Sequence, residues 1–160
     1  MKTSFLTFAV FLLVFDANAQ NAVKVVDGDS LEINGASVRL VGIDSPEYLQ
    51  LCNDESGNKY ECGQQALEYM QDMVAGCLAR KEDIRCEKKG TDRYKRDLSI
   101  CYCGGLNLNE EMVKAGWAVT YRHEMFKPAE EKAKKAKSGI WQGRFMRPEL
   151  YRVLKRYSKT

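Results

Sequence analysis

Residues 22 to 43 read AVKVVDGDSLEINGASVRLVGI, and no other stretch restricts the fold as strongly. Three short runs rich in Val, Ile and Leu are separated only by DGDS and by Asn34-Gly35. Asn-Gly between two strand-like runs is a hairpin signal, so the segment predicts an antiparallel meander of three strands. The third run ends in GIDSPE, with Asp44 and Glu47 around a rigid Ser45-Pro46 corner.

The remaining chain adds helices to this sheet. Residues 48 to 63 are polar and read as a loop bracketed by Cys52 and Cys62. QQALEYMQDMVAGCL then sets Leu67, Met70, Val74 and Cys77 or Leu78 at helical spacing. DIRCE and DLSICYC fit two further strands joined by KKGTDRYKR. LNEEMVKAG predicts a short helix capped by Asn107 or Asn109, with acids in its first turn. WAVTY reads as a short extended piece, PAEEKAKKAKSG as a third helix ended by Gly139, and Trp141 as a packing anchor. Strands first and mostly antiparallel, with helices interspersed, give an α+β class.

The 160 residues suffice for one domain with a real core and not for two. Residues 1–19 carry Lys2, the apolar run FLTFAVFLLVF and an Ala17-Asn18-Ala19 site, the pattern of a secretory signal peptide and too short for a membrane anchor. The mature domain is expected over 20–160, exported to a periplasmic or extracellular space. There, six cysteines without C-x-x-C pairs, beside a single His, predict disulfides better than a zinc site. Charge is uneven: residues 127–160 carry eleven Lys/Arg against three Asp/Glu, and residues 20–126 thirteen against eighteen. A basic C-terminal tail beside an acidic body suits an anionic polymer, although KPAEEKAKKAKSG also reads as a solvated helix face.

In such a meander the start of the second strand lies near the end of the third, so Asp29 and Asp44 can face one another. Two carboxylates there repel unless a cation joins them, and hard oxygen ligands suit calcium. Arg39 and Arg96 offer planar forks for a phosphate, and Glu47 a group to take a proton from water. Spacing alone leaves the plain reading open, in which DGDS only turns the chain, Asp44 caps a turn and Arg39 pairs with an acid.

VVDGDS, RLVGIDSPE, TDRYKRDL, MVKAGWAV and AKSGIW, in this order, closely resemble the staphylococcal nuclease (thermonuclease) family over nearly the whole mature chain. The resemblance implies a small five-stranded OB-fold β-barrel with three packed helices, and calcium-dependent hydrolysis of DNA and RNA by direct water attack. It implies one calcium ion held by Asp29, Asp44 and the Ser45 carbonyl, phosphate-binding by Arg39 and Arg96, and Glu47 as the general base. Arg93 and Tyr94 match nucleotide-contacting positions, and Tyr121 falls one residue from a stacking tyrosine. The family commonly has glycine where Lys95 stands, so Lys95 either re-aims Arg96 or adds a phosphate contact. The cysteines depart from the cysteine-free founding member but suit secreted bacterial relatives. The expected pairs are Cys52–Cys62, Cys86–Cys101 and, by exclusion, Cys77–Cys103, with a buried free Cys77 thiol as the alternative. His123 is expected on the surface.

The resulting expectation is an exported, monomeric nuclease without a membrane anchor in its mature form. It would cleave single-stranded or accessible DNA and RNA with little sequence selectivity. Two alternatives stand beside it: an OB-fold binding module without the reaction, and a nuclease independent of calcium.

Overall fold

The computed structural model describes residues 21–158, so the expected leader, residues 1–19, lies outside the described residues. The meander is formed by β1 (Val23–Asp27), β2 (Ser30–Ile33) and β3 (Ala36–Leu40), with Val23 opposite Ile33 and Leu31 opposite Val38. Between β2 and β3, Asn34 and Gly35 take φ of 51° and 82°, the two left-handed residues a two-residue hairpin turn requires. After Gly42 comes β4 (Ile43–Asp44), then a small ribbon of β5 (Cys52–Asn53) and β6 (Lys59–Tyr60).

Helix α1 (Cys62–Ala79) buries Ala66, Met70, Val74 and Cys77, a three-to-four spacing that makes one apolar stripe. Leu67 sits half-buried beside that stripe. Strands β7 (Ile84–Thr91) and β8 (Asp97–Cys103) follow, then β9 (Leu106–Asn107) and α2 (Leu108–Lys114). Asn107 caps α2 by accepting from the Glu110 N–H at 3.1 Å, and Asn109 is freed for another task. The chain closes with β10 (Val119–Thr120), α3 (Lys127–Lys135), a 3-10 turn over Gly139–Gln142, and α4 (Pro148–Tyr157).

The main sheet runs β1-β2-β3-β8-β7 and curls as a half-barrel, the OB-type α+β architecture expected. Its one parallel pair, β3 with β8, aligns Arg39 with Leu98. The core, including Leu31, Leu40, Met70, Ile84 and Met112, lies between this sheet and α1 and α2. A smaller cluster of Cys52, Cys62, Val119 and Ile140 packs with Trp141 and Phe145. The pairs are Cys52–Cys62, Cys77–Cys103 and Cys86–Cys101, so Cys77 is not a free thiol. Cys52–Cys62 closes a loop of its own and Cys86–Cys101 is nested within Cys77–Cys103; each closure restricts the unfolded chain.

Among the described residues there are four α-helices where three were expected. The fourth hides in what reads as a basic tail: Leu150, Val153, Leu154 and Tyr157 recur at helical spacing, Pro148 occupies the first turn, and Lys155 and Arg156 close the last.

Candidate active site

The two buried acids are brought together by close backbone approach. A Cβ on Gly28 would stand 2.1 Å from Ser45 Oγ, so the DGDS turn lies against the GIDSPE corner only with glycine there. Ser45 N–H donates to Asp29 Oδ2 at 2.8 Å, and Ser45 Oγ donates to the Trp117 carbonyl at 2.9 Å. Strand β4 pairs with β10, setting Asp44 opposite Val119. Asn109, wholly buried, donates to the carbonyls of Val41 at 2.9 Å and Ser99 at 3.1 Å, bolting α2 to the segment that leads into β4. Past the corner, a Cβ on Gly63 would stand 1.8 Å from the Glu47 carbonyl oxygen. Gln50, also wholly buried, bonds Glu47 N at 3.3 Å and the Met146 carbonyl at 2.6 Å. Glu47 is thus pinned at its backbone while its side chain stays partly exposed.

Asp29 and Asp44 are each 1% exposed. Arg39 spans them, with Nη1 on Asp29 Oδ1 and Nη2 on Asp44 Oδ1 at 2.7 Å. Burial pushes the Asp29 carboxyl well above the usual carboxylate range; Arg39 opposes this, and Asp27 and Asp44 add to it. A second guanidinium comes from α4: Arg152 reaches Asp44 Oδ1 at 2.8 Å, Asp44 Oδ2 at 3.0 Å and Glu47 Oε1 at 2.9 Å. Two arginines thus offset a cluster of like charges that would otherwise be costly to bury.

Above these acids opens a cleft of about 690 Å³ whose lining includes Arg39, Glu47, Arg93, Tyr94, Arg96 and Tyr121. Asp29, Asp44 and Ser45 are buried and do not line it; the two acids meet the cleft through Arg39, which does. Lys95 is not among the lining residues, yet it adopts φ 65° as the glycine it replaces would. The tight turn therefore survives. Asp92 organises it, accepting from the backbone N–H groups of Tyr94 at 2.8 Å and Arg96 at 3.0 Å. Arg96 is turned onto Asp92, with Nε 2.9 Å from Oδ2, and so lines the cleft without touching the acid pair. Tyr94 lies 4.8 Å from the Arg93 guanidinium and 5.7 Å from that of Arg96, cation–π distances that hold an exposed ring in place. Tyr121 donates from its hydroxyl to Glu149 at 3.1 Å, and His123 is exposed. Arg122, Arg152 and Arg156 complete the lining's arginines; none is in the expected set, and the helical spacing of Arg152 and Arg156 is the signal that would have found the last two. Ligand atoms of Cys77, Glu82 and Cys103 also converge within 4.8 Å, but both sulfurs are joined in a disulfide.

The model of the family described as staphylococcal nuclease homologue matches residues 37–143, a span holding Arg39, Asp44, Glu47 and Arg96. The chain belongs to the staphylococcal nuclease homologues. It is accordingly a phosphodiester hydrolase. Among relatives of this family, the succinoglycan biosynthesis protein ExoI of Rhizobium meliloti is 33% identical over 141 positions, covering 83% of this chain and 72% of that protein. An uncharacterized endonuclease of Haemophilus influenzae is 32% identical, with 79% and 67% covered. A micrococcal nuclease of Shigella flexneri is 28% identical, with 74% and 71% covered. Helix α4, beginning at Pro148, lies beyond the matched span.

Proposed function

We propose that this nuclease is calcium-dependent, cleaves DNA and RNA with little sequence selectivity, and works after export as residues 20–160. The observation that carries the reading is the pair of 1% exposed carboxylates, Asp29 and Asp44, held by two arginines that line the cleft, Arg39 and Arg152. The donor set fits a hard cation: two buried carboxylates with the Ser45 carbonyl beside them, an all-oxygen array of the kind calcium takes. When bound, calcium would supply positive charge at the oxygens where negative charge grows.

The chain's own residues do the rest. Arg39 is anchored by Asp29 and Asp44, so its guanidinium enters the reaction already oriented and stabilises the phosphate as charge develops. Arg96, held against Asp92 on the opposite wall, is the second clamp. Glu47, its side chain 36% exposed, takes a proton from the attacking water as the water oxygen bonds phosphorus and the leaving oxygen departs. Tyr94, exposed on the cleft wall, offers a face for an unpaired base, which favours single-stranded or accessible substrates. Three disulfides suit an oxidising destination. Among the described residues no helix is long and apolar enough to cross a membrane.

The test is to incubate purified protein with single-stranded DNA and RNA in calcium, in magnesium and in chelator, and to follow cleavage. Cleavage of both polymers in calcium alone is expected. Cleavage that survives chelation would overturn the calcium role, and cleavage of only one polymer the breadth of substrate.

A further inference from the structure

We infer that α4 is a latch in which Arg152, bridging Asp44 and Glu47, occupies the Asp44 side of the cation seat until a divalent ion displaces it. This rests on the reading that Asp44 is a cation ligand. Asp44 is buried, and both of its oxygens receive Arg152, at 2.8 and 3.0 Å, while Oδ1 also receives Arg39 at 2.7 Å. A divalent ion on either oxygen would stand in contact range of the Arg152 guanidinium, and at that separation like charges repel strongly in a poorly solvated site. Arg39 stands on β3, paired on both sides, so its backbone cannot shift away from the acids. The backbone that carries Arg152 is held far less.

The helix that carries it is lightly docked. Pro148 is the only residue of α4 that is buried, while Leu150, Val153 and Leu154 are 50%, 40% and 47% exposed. Two further contacts on its body, Tyr121 with Glu149 and Tyr151 with the Leu49 carbonyl, are both at the surface, where such bonds contribute little. Its leading segment is held firmly: Arg144 exchanges backbone bonds with Asn53 at 2.8 and 3.0 Å, Gln50 holds the Met146 carbonyl, and Arg147 donates to the Thr120 carbonyl at 3.1 Å. The helix is therefore tethered at residue 148, and the ion pairs of Arg152 join its body to the buried acids. The two bonds to Asp44 use the oxygens that an arriving cation would take. Arg156 and Val153 share the cleft lining with Arg152, so an open latch widens the groove from the α4 side.

The experiment is calorimetric titration of calcium into the metal-free full chain and its Arg152→Ala variant, with hydrogen exchange of wild-type amides in residues 148–157 with and without calcium. The variant should bind about ten-fold more tightly, the gain expected if the seat is open in roughly a tenth of wild-type molecules. Exchange in α4 of the wild type should quicken when calcium saturates. Equal affinity in both proteins would overturn the latch while leaving the calcium reading intact; binding by neither would overturn both. If Arg152→Ala does not fold, wild-type exchange decides, and α4 amides that stay unchanged or slow down with calcium overturn the latch.

Discussion

Two carboxylate sites are buried in this fold to the same degree, and they are built on opposite terms. Glu130 of α3 and Asp29 of the acid cluster are each 1% exposed. Burial alone would raise Glu130, but the Thr120 N–H at 2.9 Å and the Lys134 ammonium at 3.0 Å, with Arg147 nearby, hold it below the usual carboxylate value. Its negative charge is met locally, by one backbone donor and a lysine one helical turn away. Asp29 has Asp27 and Asp44 for neighbours, and burial pushes it up despite Arg39. The second guanidinium of that cluster, Arg152, has to come from a helix 108 residues downstream of Asp44. A buried acid that serves the fold is satisfied where it stands, whereas Asp29 stays raised even with Arg39 on it, the crowding of acids that a cation site relieves.

The largest effect that would test this contrast is on rate. Glu47→Gln should lower kcat by about 10²–10⁴-fold, the usual worth of a positioned proton acceptor, while substrate binding and melting temperature stay near wild type. Loss of binding instead of turnover would remove Glu47 from its assigned role. Glu130→Gln should do the reverse, keeping activity per folded molecule and costing about 2 kcal/mol of stability at neutral pH, the scale of a lost charge-assisted bond. The sign with pH follows from its lowered folded value. The stabilisation is present above the ordinary glutamate value of about 4.3 and is lost as pH falls through the lower folded value. Urea unfolding at pH 7 and pH 3 should therefore show the gap between wild type and variant closing in acid, and a constant gap would place the loss in packing. Third, Asp29→Asn should abolish cleavage and raise the stability of the metal-free protein by about 1 kcal/mol, because it relieves a strained site that function maintains. A stability loss matching Glu130→Gln would erase the distinction between the two sites.

Much of the acid cluster was legible because its parts are local. DGDS and GIDSPE are turn and strand-end signals whose side chains meet once the meander forms, and Asn34-Gly35 fixes that meander. Two cysteine pairs were legible for the same reason, Cys52–Cys62 across one loop and Cys86–Cys101 opposite one another on paired strands, whereas Cys77–Cys103 stood beside a free-thiol alternative that only the packing of α1 against β8 removes. What escaped was long-range or masked. Arg152 sits in a segment whose net charge hides the spacing of Leu150, Val153, Leu154 and Tyr157. Gln50 carries no signal in a polar loop, yet it is buried completely and joins the Glu47 corner to the segment leading into α4. Glu130 reads as one more charge on a solvated helix; only the packing of β10 against α3 reveals its work.

The smallest effect concerns the backbone of the cleft. Lys95 and Arg122, at φ 65° and 59°, put left-handed residues at the rim, and each costs an L-residue about 1–2 kcal/mol relative to glycine's tolerance. Lys95→Gly removes that strain but adds chain entropy to the unfolded state, about 0.5–1 kcal/mol, so the net gain should be about 0.5 kcal/mol. Arg96 should not move, because Asp92 holds both its backbone N–H and its guanidinium. Activity should then match wild type while the melting temperature rises slightly. If kcat falls about ten-fold, equivalent to about 1.4 kcal/mol of barrier, the lysine is itself a phosphate contact. The strain at residue 95 would then be part of the catalytic surface, as the crowding around Asp29 is.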